Sequence, residues 1–378
     1  MIAAGLRRCC LLSRGGGGGG GGTRRGAASG GGRGRLAAAP PPPPPLRQQP
    51  SKRPRAPAAA AFSTRGAPPP MPVVHHPLYS APRLAPGHQF PMQVFDAIHA
   101  RLLRLGMVLP SQVAVPQRLP SDAELAVVHD PEYVAAFSSC SLDDARIRRI
   151  GFREATSTPL LVERTKAEVA GTLLTAELAL ARGLACNTAG GTHHAHRDYG
   201  SGYCILNDLS FAAHELLRRG AVARVLILDL DVHQGDGTAT ICAGNPAIFT
   251  LSVHCESNFP ARKARSTLDV GLPDGAGDEP YLRAVSDALP GALEDFRPDL
   301  VLYDAGVDVH AADALGRLCV TDAGLLRREL LVLDTCLGAG VPVAGYVGGG
   351  YADDLEVLAA RHCALHEAAL RMYRDHGL

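Results

Sequence analysis

The chain has 378 residues, 46% of them hydrophobic, and its 38 Lys and Arg offset 37 Asp and Glu to a net charge of +1. Near-neutral charge argues against nonspecific nucleic-acid binding as the main activity, and no stretch approaches the roughly 20 unbroken apolar residues of a membrane span. The ten cysteines are scattered without a CxxC pair, which indicates reduced thiols in a non-secreted protein rather than a disulfide framework or a sulfur zinc site.

The charges are unevenly placed. Residues 1–70 contain no Asp or Glu, while arginine recurs from Arg7 and Arg8 to Arg33, Arg35 and beyond. The same segment holds a polyglycine run, Gly15 to Gly22, and a polyproline run, Pro40 to Pro45. Neither buries a core, because Gly has too much entropy to lose and Pro runs stay extended and solvated. An Arg-rich, acid-poor leader with Ser and Ala reads as a transit peptide for a plastid or mitochondrion. Two readings compete: a disordered arm with no address, or a nuclear signal at Lys52, Arg53 and Arg55, which would leave the chain in the nucleus or cytoplasm. The apolar run Cys9 to Leu12 is too short for a secretory signal.

From Met71 onward the composition is that of one globular domain of roughly 300 residues, 71–378. A strand is expected at Pro72 to His75, then a helix at Leu160 to Arg182, whose Ala, Leu, Glu and Lys favour that state. Next come a strand at Leu184 to Thr188, a helix at Leu209 to Arg219, and strands at Val225 to Asp229 and Ala247 to Val253. A helix at Pro280 to Phe296, a strand at Leu300 to Asp304, a helix at Ala323 to Leu337, a strand at Pro342 to Val347 and a helix at Asp354 to Tyr373 complete the pattern. This alternation predicts an α/β fold with a mostly parallel sheet and helices on both faces. No internal repeat is present.

Ligands of such sheets bind at the carboxyl ends of the strands, and polar clusters follow five of these strands. The richest is LILDLDVHQGDGTA, Leu226 to Ala239, where an apolar run ends in Asp229, Asp231, His233 and Asp236. If the strand continues, residues 229, 231 and 233 share a face, and a metal ion is the simplest partner for buried carboxylates beside an imidazole. A plainer reading, acids capping the next helix, explains one or two of these Asp but not the His in phase with them. Asp308, after Leu300 to Asp304, adds a second carboxylate to Asp231 and His233 and leaves room for water and substrate. His193 and His194 follow Gly190 and Gly191, a loop able to turn both rings towards one cavity. Asp229 and Asp236 are placed to accept the other ring N–H of these histidines. Tyr351, after Gly348 to Gly350, is a candidate donor to an oxyanion, although a tight turn with a packing tyrosine fits equally well. Asp313 and Cys319 read as structural.

The segments GGTHHAHRDYGSGYCILND, LDLDVHQGDGTA, TLSVH, AGVDVHAADALGRL and VGGGY occur here in the order of the zinc-dependent histone deacetylase family, which the chain resembles from about Val73 to Arg371. Gln234, where class I and II members carry a second His, and the segment NFPARKARSTLDVGLPDG resemble the class IV branch and similar bacterial deacetylase-like proteins. The resemblance implies the arginase-deacetylase α/β/α sandwich and an amidohydrolase that removes acyl groups from lysine by metal-activated water. It implies zinc on Asp231, His233 and Asp308, His194 as general base, His193 as the electrostatic histidine, Asp229 and Asp236 as their partners, and Tyr351 on the oxyanion. It further implies an acyl-lysine tunnel lined by Gly202, Tyr203, Phe259 and Leu315, with Tyr203 replacing the Phe common in class I. A potassium site is implied at Asp229, Ser252 and Val253 with the main-chain carbonyls of Asp231 and His233.

Histones, other acyl-lysine proteins, longer fatty acyl chains and small N-acetylated amines all fit a tunnel ending at zinc, and a chromatin role competes with an organelle role set by the leader. Two rivals differ in kind. A ureohydrolase of the same fold bridges two manganese ions and needs an acid doublet that Asp304 and Asp308, four apart, do not form. A non-catalytic acyl-lysine binding protein is disfavoured by the intact His193, His194 and Tyr351. Neither sequence-specific nucleic-acid contacts nor an oligomeric state is indicated.

Overall fold

The computed structural model describes residues 70–378. The leader expectation rests on residues 1–70 and so lies almost wholly outside that range. Eight parallel strands form one sheet: β1 (Val73–Val74), β2 (Val113–Ala114), β3 (Leu184–Asn187), β4 (Val225–Asp229), β5 (Ile248–Cys255), β6 (Leu268–Leu272), β7 (Leu300–Asp304) and β8 (Val343–Tyr346). Their order is β2-β1-β3-β8-β7-β4-β5-β6, which puts β3, β8, β7 and β4 in the middle.

The helices are α1 (Val94–Arg104), α2 (Asp122–Leu125), α3 (Pro131–Ser138), α4 (Asp144–Ile150), α5 (Pro159–Arg182), α6 (Asp208–Arg218), α7 (Asp236–Cys242), α8 (Asp278–Phe296), α9 (Asp322–Gly338) and α10 (Leu355–Asp375). The central strands are apolar on both faces, as a sheet covered on both sides requires. In β4, Val225 and Ile227 enter one core with Leu209, Ala212 and Leu216 of α6. Leu226 and Leu228 enter the other, with Val285 of α8, Val332 of α9 and Leu358 of α10. In β7, Leu300 and Leu302 likewise part company with Val301 and Tyr303. This two-residue alternation produces the three-layer α/β/α sandwich. Helix starts are set locally: the Thr158 hydroxyl caps α5 by accepting from Leu161 N, Pro159 fills the first turn, and Gly183 at φ +84° ends it.

The expected strands and helices are all present, with no end shifted by more than two residues. Several elements lie outside that reading. β2 is two residues long, and β6 is an edge strand of mixed polarity, LDVGL, too weakly patterned to stand out. In α1, Val94, Phe95, Ile98 and Leu102 are buried on a helical repeat compressed between Pro91 and Gly106. One geometric expectation needs correction. β4 stops at Asp229, so Asp231 and His233 lie in the turn beyond it rather than on a continuing strand face.

Candidate active site

Hydrogen bonds, not strand pleat, aim the residues after β4. Asp231 N donates to Asp229 Oδ1 (3.2 Å), His233 N donates to Asp231 Oδ1 (2.9 Å), and Val232 N donates to Asp308 Oδ1 (2.8 Å). The last bond ties this turn to the loop after β7. His233 Nδ1 then lies 3.0 Å from Asp231 Oδ1 and 3.1 Å from Asp308 Oδ2, with all three side chains buried. Two atoms each bound at about 2.0–2.1 Å to one tetrahedral ion sit roughly 3.3 Å apart, so this spacing and the O, O, N donor set fit zinc. Two carboxylates buried this closely also need a cation to offset their repulsion. The remaining Asp231 oxygen, Oδ2, accepts from Gly349 N (2.9 Å), which brings the loop after β8 into the same cluster.

His193 and His194 both face the cavity, their ring centroids 4.1 Å apart. Gly190 at φ +103° and Gly191 at φ +85° make the turn that allows this. His193 Nδ1 lies 2.9 Å from Asp229 Oδ2, and His194 Nδ1 lies 2.7 Å from Asp236 Oδ1. An ionised carboxylate only accepts, so each Nδ1 carries the hydrogen and each Nε2 is left for chemistry. The two rings differ in charge. Burial opposes charge on His193, yet Asp229 and Asp231 hold its pKa well above the ordinary value. Burial, reinforced by the charge of His193, pushes His194 down to about 3 and leaves it a neutral base.

A cavity of about 450 Å³ leads to this centre, lined among others by Gly202, Tyr203, Phe259, Leu315 and Tyr351. The Phe259 ring packs edge-on to His194 at 4.8 Å, and Tyr203 lies 6.2 Å from Tyr351, ring to ring. Burial and the nearby Asp308 raise the Tyr351 pKa well above the usual phenol range, so its hydroxyl keeps its proton. Ser252 is the register partner of Asp229 on β5, and its hydroxyl lies 2.9 Å from His254 Nδ1; Val253 beside it is buried.

The structure thus gathers the residues expected at the zinc, acid-base and tunnel positions around one cavity or directly behind it. It also brings in residues the sequence reading passed over. Asp304 reaches within 3.7 Å of His193 Nδ1. Its oxygens form a second close cluster with His193 and Asp229, although no acid doublet accompanies it. His196 Nε2 lies 3.1 Å from Asp236 Oδ2. Asp313, expected to be structural, accepts from Leu315 N, Gly316 N and Tyr351 N (2.8, 2.9 and 2.7 Å) and so pins the backbone of Tyr351. Gln234 donates to Asp269 Oδ1 (2.7 Å) and Ala264 O (3.1 Å) and accepts from Ala264 N (2.8 Å), clamping the loop that carries Phe259. Arg328 on α9, fully buried, donates to Gly306 O (2.7 Å), Ala305 O (3.1 Å) and Leu230 O (3.3 Å), holding together the two loops that carry the metal residues. An HH pair followed by a third His two residues on is the one sequence signal that marks His196. Arg328 carries none.

A family model described as the histone deacetylase domain matches residues 88–366. An uncharacterized protein of Picosynechococcus is 52% identical over 302 residues, covering 80% of this chain and 99% of that one. Histone deacetylase 2 of Arabidopsis thaliana is 32% identical over 238 residues, and the match spans 61% of each chain. The crystal structure of the HDA15 HD domain shares the fold, with a TM-score of 0.67 at 24% identity over 80% of this chain and 90% of that one.

Proposed function

Because the chain belongs to the histone deacetylase family, whose members are zinc-dependent, we propose that Asp231, His233 and Asp308 hold one zinc ion at the base of its tunnel. The chain is a hydrolase that deacetylates amides, acting on acetyl-lysine or on small acetylated amines. One observation carries the residue roles: the three donor atoms, the Nε2 edge of His194 and Tyr351 meet at one cavity. Zinc bound there supplies Lewis acidity, polarising the amide carbonyl and acidifying a water.

The chain's own groups do the rest. The His194 ring, held by Asp236 at Nδ1, takes the water proton at Nε2 and returns it to the departing amine. His193 supplies positive charge beside the addition, and its Nδ1–H stays on Asp229. The Tyr351 hydroxyl donates to the oxyanion as charge develops. Tyr203, Phe259 and Leu315 wall a linear aliphatic stem and exclude bulk water.

Acetyl is favoured over long fatty acyl groups as the acyl group removed. The cavity lining includes the buried pair Arg164–Glu168 (2.5 and 2.9 Å), against which an aliphatic tail gains little. Placement in the class IV branch rests on Gln234 and the segment around Phe259; potassium at Asp229, Ser252 and Val253 rests on resemblance. The acid-poor leader supports a plastid or mitochondrial address, with acetylated non-histone proteins or small amines as substrates there. A tagged full-length chain viewed in cells tests the address. Assay of the full chain against acetyl-lysine peptide, myristoyl-lysine peptide and small acetylated amines tests the substrate. His194→Ala and Tyr351→Phe should abolish turnover with zinc content intact; normal turnover in either refutes the assigned roles.

A further inference from the structure

Asp236 is held at both oxygens by imidazoles. Oδ1 lies 2.7 Å from His194 Nδ1, and Oδ2 lies 3.1 Å from His196 Nε2. The far nitrogen of His196, Nδ1, lies 2.9 Å from the Thr240 hydroxyl on α7. A carboxylate only accepts, so Nε2 carries the hydrogen that His196 shares with Asp236. Nε2–H donates to Asp236, while the Thr240 hydroxyl, which also donates to Asp236 O (2.9 Å) or Gly237 O (3.0 Å), ties the Nδ1 edge of the ring to α7.

The His196 ring is itself held from the side. It stacks on Tyr199 at 4.4 Å with 21° between planes, and the Arg149 guanidinium lies 4.3 Å from the centre of the Tyr199 ring. Arg149 also lines the cavity. A continuous set of contacts therefore runs from the cavity wall through Arg149, Tyr199 and His196 to the carboxylate under His194. Burial opposes charge on Asp236, yet the bonds from His194 and His196 hold its pKa well below the usual range.

We propose that His196 is a positioning residue for the general base. A carboxylate held at one oxygen swings about its Cβ–Cγ bond; held at both, it keeps Oδ1 aimed at His194 Nδ1 and so fixes the plane of the ring that moves the proton. This role rests on the reading of His194 as general base. It adds to that reading the outer partner that sets the aim of its carboxylate, and outer partners of this kind commonly matter by 10- to 100-fold.

The test is steady-state kinetics of the full, zinc-loaded chain on an acetyl-lysine peptide. His196→Ala should lower kcat about tenfold and leave KM within about twofold, because the aim of the base, not substrate binding, is lost. His196→Gln, whose amide N–H reaches the same oxygen, should recover most of the loss. In an Asp236→Asn background, His196→Ala should cost less than about twofold, since its route to His194 is already cut. An unchanged kcat, a change carried by KM, or an equal loss in both backgrounds overturns the proposal. Should His196→Ala fail to fold, Thr240→Val gives the second reading: a fall in kcat of about threefold supports the role and wild-type kcat overturns it. A wild-type chain without zinc-dependent deacetylation would instead refute the general-base reading itself.

Discussion

Asp304 faces Asp229 in register on the neighbouring strand, and His193 Nδ1 lies between them, 2.9 Å from Asp229 Oδ2 and 3.7 Å from Asp304 Oδ2. The two carboxylates are not equivalent. Asp229 accepts from His193 and from Asp231 N, whereas neither Asp304 oxygen has a hydrogen-bond partner although the side chain is fully buried. Burial, with Asp229 close by, raises the Asp304 pKa well above the carboxylate range, so this acid holds its proton. Asp304→Asn should therefore keep turnover within about threefold, while Asp229→Asn should lose at least tenfold. Paired kcat/KM measurements check this, together with bound zinc, which should stay at one ion per chain in both. A large loss in Asp304→Asn would show that its charge is used.

Gly349 makes a sharper prediction about the metal residues. A Cβ at this position would sit 2.5 Å from Asp231 Oδ2 and 2.5 Å from Asp308 Oδ2. Two carboxylates on different loops cannot both retreat without leaving His233. Gly349→Ala should thus abolish zinc binding while the sheet still forms. Bound zinc per chain, measured after gel filtration, reads the outcome; wild-type content would mean the loop after β8 yields instead.

These two residues also mark how far the sequence could be read. The central strands, the long helices and the Asp231, His233 and Asp308 cluster were legible because runs such as VLILD and VLYD end in polar clusters that few folds tolerate without a ligand. Asp304 stood out only as a strand end and as half of an acid doublet that does not form. It ends an apolar strand as Asp229 does, and only the register across β4 and β7 shows that both meet the same imidazole. The short elements between residues 76 and 159 lacked signal for a different reason. Their apolar positions are split by Pro and Gly, so neither repeat runs long enough to separate helix from loop.

Arg328 supplies a prediction about stability. Its guanidinium binds three main-chain carbonyls, at Leu230, Ala305 and Gly306, and is paired with Glu329, which also accepts from Tyr303 Oη at 2.5 Å. Arg328→Met leaves the buried Glu329 carboxylate without its cation and takes the guanidinium from the Ala305 and Gly306 carbonyls, while Leu230 O keeps the Tyr281 hydroxyl, a loss on the order of 3–5 kcal/mol. Lysine should not rescue it, because one ammonium cannot reproduce the fork that spans two loops. Urea unfolding of the three chains at neutral pH is the measurement. A loss below about 1 kcal/mol in Arg328→Met would mean that these loops hold without their clamp.

Acid sensitivity follows from His129, buried under the loop that carries the paired histidines. Its Nδ1–H donates to His196 O (3.0 Å) while Nε2 accepts from Asn207 N (2.9 Å), so the ring can bind a second proton only by breaking the latter bond. Burial accordingly lowers its pKa from 6.5 to about 4. For a group depressed by folding, the stabilising contribution is complete above the unfolded value and is lost as pH falls towards the folded one. Between pH 7 and pH 5 wild type should lose roughly 2 kcal/mol more than His129→Gln, which has no such proton to bind. Metal loss on acidification affects both chains alike, and so do His362 and His366, buried rings lowered to about 3 and about 4. The difference between the two urea curves therefore isolates His129. Parallel pH dependence in wild type and variant would mean that the ring finds another way to hold its proton, and that the Asn207 bond does not fix its state.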